Sequence, residues 1–183
     1  MALTDHFTAD AVRALPDDGN RYETVHGELL VTPAPGGFHQ VVLGRFHRLL
    51  ANYLAEHGVE GLLFSPADVS FDPDTLVQPD LFVADFAAFG RSFAWEDIKR
   101  LYLVVEVLSP STARADRSTK RRLYQEQRIP QYWIVDTEDD QVEVWTPDAQ
   151  APVIERARLV CRHPALADDC TVELREVFAG VGG

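Results

Sequence analysis

Three side chains stand where their surroundings make them conspicuous: Asp80 after Pro79, Glu106 inside an apolar run, and Lys120 in the basic segment that follows. Glu106 lies within Leu101-Tyr102-Leu103-Val104-Val105-Glu106-Val107-Leu108, a stretch that otherwise reads as a buried strand. A carboxylate there must be paired, hydrated or bound to a cation, because burying it bare is very costly. Asp80 opens a second apolar run, Leu81-Phe82-Val83-Ala84, so two acids border two candidate core strands. Two carboxylates and a lysine are the minimal kit for metal-dependent phosphodiester hydrolysis. Hard cations such as Mg²⁺ or Mn²⁺ prefer such oxygen ligands. Each residue also has a plainer reading. Asp80 could merely start a strand, Glu106 could form a buried ion pair with Arg45, Arg48 or Lys120, and Lys120 could be a surface lysine.

The elements that must position these groups follow from periodicity. Thr8 to Leu15 reads as a short helix capped by Thr8 and stopped by Pro16. Tyr22–Val25 and Glu28–Thr32 form an expected hairpin about His26-Gly27. After Pro33-Ala34-Pro35-Gly36-Gly37 a long helix is expected from about Phe38 to His57, with Val42, Phe46, Leu49, Leu50 and Tyr53 at helical spacing. Short strands are expected at Leu62–Phe64, Asp68–Phe71, Leu81–Ala84 and Tyr102–Leu108, then a basic helix over Ala113–Gln127. A final hairpin, Tyr132–Asp136 with Val142–Thr146, is followed by candidate edge strands at Val153–Val160 and Thr171–Leu174. This order predicts one α/β domain over residues 1–183, with a mixed central sheet flanked by helices. The strand–helix–strand unit from 102 to 136 implies parallel pairing.

Pro79-Asp80 followed by Glu106 on a later strand resembles the PD-(D/E)XK nuclease superfamily. That pattern has a lysine two residues after the second acid, a place held here by Leu108; Lys120 arrives on the next helix instead. A lysine displaced in this way resembles the Uma-two family of restriction-endonuclease-like proteins. The likeness extends through Arg21-Tyr22-Glu23, Gly27-Glu28-Leu29, His39, Glu106-Val107-Leu108-Ser109-Pro110-Ser111-Thr112, Lys120 with Tyr124, and Ile129-Pro130-Gln131-Tyr132-Trp133-Ile134-Val135-Asp136. It thus spans residues 8–146, with Ile129-Pro130 standing where the family commonly has a glycine turn. The resemblance implies a restriction-endonuclease-like core in which Asp80, Glu106 and the carbonyl of Val107 hold the metal and Lys120 faces the reacting phosphate. It also implies an acid from the first hairpin. Glu28 would reach the metal directly or through water, with Glu23 the other candidate. His39 would contact a phosphate, donate a proton, or simply cap its helix. Tyr124, four residues after Lys120, would orient the lysine or fill the core.

Composition sets bounds on that reading. The chain has 183 residues, 46% hydrophobic and 25% charged, as in ordinary globular proteins. No stretch approaches a transmembrane span, and the first residues lack a signal-peptide pattern, so the cytoplasm is the expected location. Cys161 and Cys170 have no metal-ligand spacing and are expected to be free. The net charge of −12 argues against strong nonspecific binding to long duplexes. Residues 113–128 run the other way, with Arg114, Arg117, Lys120, Arg121, Arg122 and Arg128 against Asp116 and Glu126. That stripe reads as a solvated helix face or as a phosphate-facing surface, with Arg117 and Arg121 the candidate phosphate-binding residues. The function expected is a metal-dependent endonuclease acting on DNA, with a homodimer compatible with cutting both strands. Two other readings stay open: a silent nuclease-fold binding or regulatory subunit, and a hydrolase of small phosphodiesters.

Overall fold

The computed structural model describes residues 6–58, 63–84, 98, 100–163, 166 and 168–180. The first helix, α1 (Ala9–Arg13), is capped by Thr8, whose Oγ1 accepts from the Ala11 N–H at 3.1 Å. β1 (Asn20–Val25) and β2 (Glu28–Pro33) form the expected antiparallel hairpin. Its two-residue turn needs positive φ at both positions, met by His26 at 51° and Gly27 at 81°. The long helix α2 runs Gly37–Glu56 and buries Val42, Leu43, Phe46, Leu50 and Leu54 along one stripe.

Short strands β3 (Leu63–Phe64) and β4 (Val69–Asp72) follow, with Leu62 outside the described residues. β5 (Thr75–Val77) was not expected from sequence. The Asp72-Pro73-Asp74 turn returns the chain and pairs these three residues with both β1 and β4. β6 (Leu81–Ala84) and β7 (Leu101–Val107) come next. The basic segment is three pieces: α3 (Ala113–Ala115), a π-helical turn (Asp116–Lys120) and α4 (Arg121–Glu126). β8 (Gln131–Asp136) and β9 (Gln141–Trp145) complete the central sheet apart from its edge, β10 (Val153–Glu155). The expected tail strands differ in arrangement. Only β10 joins the large sheet, whereas β11 (Arg158–Cys161) and β12 (Cys170–Glu173) pair with each other, and α5 (Leu174–Phe178) closes the chain.

The large sheet has the order β10-β9-β8-β7-β6-β3, and a four-stranded sheet has the order β2-β1-β5-β4. β7 and β8 are parallel, joined by the α3–α4 crossover, while the other pairs are antiparallel. Mixed sheet and flanking helices match the expected α/β class. β7 is buried on both faces, which is why it reads as a continuous apolar run. Leu103, Val105 and Val107 meet α2, while Val104 packs in a second core with Leu123, Tyr124 and Tyr132. Strand alternation puts Glu106 on the face of Val104, beneath the π turn and the small sheet. Cys161 and Cys170 are free, buried and opposite each other across β11 and β12.

Candidate active site

The antiparallel register that pairs Leu81 with Val105 places Asp80 beside the end of β7. There the Val107 N–H donates to Asp80 Oδ2 at 2.9 Å, and His39 Nε2 reaches the same oxygen at 2.9 Å from the first turn of α2. Arg21 on β1 donates from Nη1 to Asp80 Oδ1 at 2.9 Å and to the Gln78 carbonyl at 3.1 Å. Glu106 Oε1 accepts from Lys120 Nζ at 2.9 Å and from the Tyr124 hydroxyl at 3.2 Å. Lys120 Nζ also lies 2.9 Å from Glu23 Oε2 and 3.7 Å from Asp116 Oδ1. The second oxygen of Glu23 accepts from the Gln78 N–H at 2.7 Å. Asp80, Glu106 and Lys120 are each at most 3% exposed.

These groups border a recess of about 60 Å³, walled by Pro33–Gly36 on one side and by Ser109, Ser111 and Thr112 on the other. The π turn helps to assemble it. Asp116 and Lys120, at its two ends, are both buried, although the segment reads as an amphipathic basic helix. Insertions of this kind in helices recur at functional sites.

Electrostatics separate the acids. Burial pushes the Asp80 carboxyl up, but His39, Arg21 and the Val107 N–H outweigh it and hold the group down at about 2. Burial drives Glu106 well above the usual carboxylate range, against the pull of Lys120 and with added repulsion from Asp80, Asp116 and Glu23. Burial likewise lifts Asp116 to about 6. Burial disfavours the Lys120 ammonium too, but Glu106, Glu23 and Asp116 more than compensate, so the lysine stays charged. With divalent cations chelated, Asp116→Asn is therefore expected to stabilise the fold at pH 8 by roughly 1–3 kcal/mol. A raised folded-state pKa gives stability that is complete below 3.8 and lost as pH rises through about 6. The gain should accordingly vanish near pH 4. Urea unfolding at both pH values checks this, and an equal effect at the two would refute it.

Several candidates fall elsewhere. Glu28, expected to reach the metal directly or through water, does not line the recess. It shares a face with Glu23 but pairs with Val25, two residues closer to the turn, or roughly 7 Å along the strand. That offset sets it in a separate hollow with His26, Thr119, Arg122 and Glu126. Glu23 takes the place that the hairpin offers. Arg117 and Arg121, the candidate phosphate-binding residues, lie outside the lining of the recess and hold partners within the protein. Arg117 is bound to Asp136 at 2.7 Å and Glu143 at 2.6 Å, and Arg121 holds Gln125 at 2.7 Å with its guanidinium 4.9 Å from the Trp145 ring. Tyr124 fills the core and bonds Glu106 rather than the lysine. Arg21 and Asp116 were missed by sequence reasoning. The signals were present: Arg21 is two residues from Glu23 on one strand face, and Asp116 is four before Lys120 on one helix.

The donor types suit a hard divalent cation: carboxylates of Asp80 and Glu106, and the main chain of Val107, all bordering the recess. Among the described residues no group of three or more His, Cys, Asp or Glu side chains is arranged to hold a metal. Waters would complete the shell, as is usual for Mg²⁺. Among the described residues, the carboxyl groups of Glu23, Asp80, Glu106 and Asp116 gather around the fixed cations Arg21 and Lys120, so acidic groups outnumber bases at the site.

A family model, Uma2, described as "Putative restriction endonuclease", matches residues 9–179. Among solved structures, the chain is similar to one titled as a putative nuclease belonging to DUF820 from Anabaena variabilis ATCC 29413. The TM-score is 0.71 at 18% identity, covering 96% of this chain and 99% of that one, which supports the restriction-endonuclease-like fold. No curated protein matches the chain. Among the described residues no helix is long and apolar enough to cross a membrane.

Proposed function

Because the chain belongs to the Uma2 restriction-endonuclease family, we propose that it hydrolyses DNA phosphodiester bonds at the Asp80–Glu106–Lys120 cluster with Mg²⁺ or Mn²⁺. The observation that carries this reading is the convergence of two acids from neighbouring strands on one buried recess, with Lys120 Nζ 2.9 Å from Glu106. Asp80, Glu106 and the Val107 carbonyl would hold the cation. When bound, the ion polarises the phosphoryl oxygen and lowers the pKa of an attacking water.

The protein groups do the rest. Arg21, His39 and the Val107 N–H fix the orientation of Asp80 and keep it ionised. Tyr124 and Lys120 fix Glu106. The Lys120 ammonium offsets negative charge that develops at phosphorus, and burial makes that charge count for more than it would in water. Arg117 and Arg121 anchor the crossover helix through Asp136, Glu143 and Gln125. The protein would act as a single domain in the cytoplasm, and a two-fold dimer would suit double-strand cutting.

Supercoiled plasmid at low salt, with Mg²⁺, Mn²⁺ or EDTA, tests the reading. Nicked or linear product is expected only with a divalent ion, and Asp80→Asn should lower the rate by on the order of 100-fold or more. Cleavage of a small chromogenic diester without cleavage of DNA would replace the DNA substrate with a small one. Failure on both would leave a silent binding subunit.

A further inference from the structure

Lys120 is reached from two sides. Besides the recess, a second cavity of about 160 Å³ is lined by Asp116 and the Leu29–Val31 strand, with Glu23 and Lys120 bordering both spaces. Asp116 is 1% exposed, and its Oδ1 has no hydrogen-bond partner. A buried carboxylate oxygen left in that state is costly. It faces Lys120 Nζ at 3.7 Å, beyond hydrogen-bond reach. The ammonium meanwhile directs donors to Glu106 Oε1 and Glu23 Oε2, each at 2.9 Å.

On the divalent-cation reading above, a cation that takes Glu106 competes with Lys120 for the same carboxylate, and two positive charges so close repel strongly in a buried site. An acceptor with no hydrogen bond, Asp116 Oδ1, stands 3.7 Å from that ammonium, one helical turn away. We propose that Asp116 is the acceptor that takes over the Lys120 ammonium when a divalent cation claims Glu106. A shift of about 0.8 Å converts the 3.7 Å separation into the 2.9 Å that Lys120 keeps to Glu106. The second cavity supplies room, and Glu23 remains the pivot. Asp116 is on this account a positioning residue, touching neither cation nor substrate and acting through the lysine.

Calorimetric Mn²⁺ titration of the full chain tests it in wild type, Asp116→Asn, Lys120→Met and the double variant. Asp116→Asn should weaken Mn²⁺ binding about tenfold, and that loss should disappear in the Lys120→Met background, where no ammonium needs a new partner. An equal loss with and without Lys120 would reflect bulk charge alone and would overturn the proposal. Should Lys120→Met not fold, a crystal structure of the wild type with Mg²⁺ gives the same reading. Nζ moved onto Asp116 Oδ1 supports the proposal, and Nζ still on Glu106 sinks it. Wild type that binds Mn²⁺ with Asp116→Asn unaffected overturns this inference alone. Wild type that binds no Mn²⁺ overturns the cation reading itself, and this inference with it.

Discussion

Lys120→Met is expected to destabilise the fold by about 3–5 kcal/mol and to abolish phosphodiester cleavage. The lysine is 3% exposed and lies 2.9 Å from both Glu106 and Glu23, with Asp116 at 3.7 Å. Methionine keeps most of the apolar stem, so the loss isolates the charge rather than a cavity. Without it, buried carboxylates keep their desolvation cost and lose the group that offsets it. Glu106 and Asp116 can respond by holding protons, which raises their folded-state pKa values further. A raised value contributes stability below the unfolded pKa that is lost as pH rises through the folded one. The penalty should therefore be larger at pH 8 than at pH 5. Denaturant unfolding at the two pH values, in EDTA, reads both size and slope. A loss below about 1 kcal/mol, typical of a surface ion pair, would mean that the cluster is far better hydrated than its burial indicates.

What sequence could and could not disclose about this cluster has physical reasons. Leu101–Leu108 and Leu81–Ala84 were legible because strands buried on both faces leave unbroken apolar runs, against which Glu106 and Asp80 stand out. The His26-Gly27 turn was legible because few residues accept positive φ in succession. The π turn was not. A shift of backbone hydrogen bonds from the fourth to the fifth residue leaves no compositional trace, yet it accompanies the burial of both Asp116 and Lys120. Glu23 and Glu28 were inseparable because they share a hairpin face, and only the crossing point of the helix decides between them. The partners of the basic stripe were hidden for a related reason. Charge counting sees Arg117 but not Asp136 and Glu143, its partners 19 and 26 residues away. Arg21 was quoted only as part of the Arg21-Tyr22-Glu23 pattern, because its partner Asp80 lies 59 residues away in sequence.

Cation binding should expel a proton, and the thermal stabilisation by Mg²⁺ should grow with pH. Burial and the surrounding acids raise Glu106 well above its ordinary value, so the cation-free site favours a proton there. A metal ligand must be deprotonated, so Mg²⁺ or Mn²⁺ has to displace that proton. The fold loses stability as pH rises through the folded-state value of Glu106, and a bound cation compensates most where that loss is complete. At about 100 times Kd, binding contributes about 2.7 kcal/mol, which corresponds to roughly 5–10 °C in Tm for a chain of this size. That gain should grow as pH rises through the folded-state value of Glu106. Asp80 cannot produce the trend, because it is held down at about 2 and is ionised throughout the neutral range. Glu106→Gln should remove the proton release and, with it, most of the gain. Calorimetry in two buffers of different ionisation enthalpy counts the proton directly. Tight binding with no buffer dependence would place the cation on acids that were already ionised, and would remove Glu106 from the ligand set.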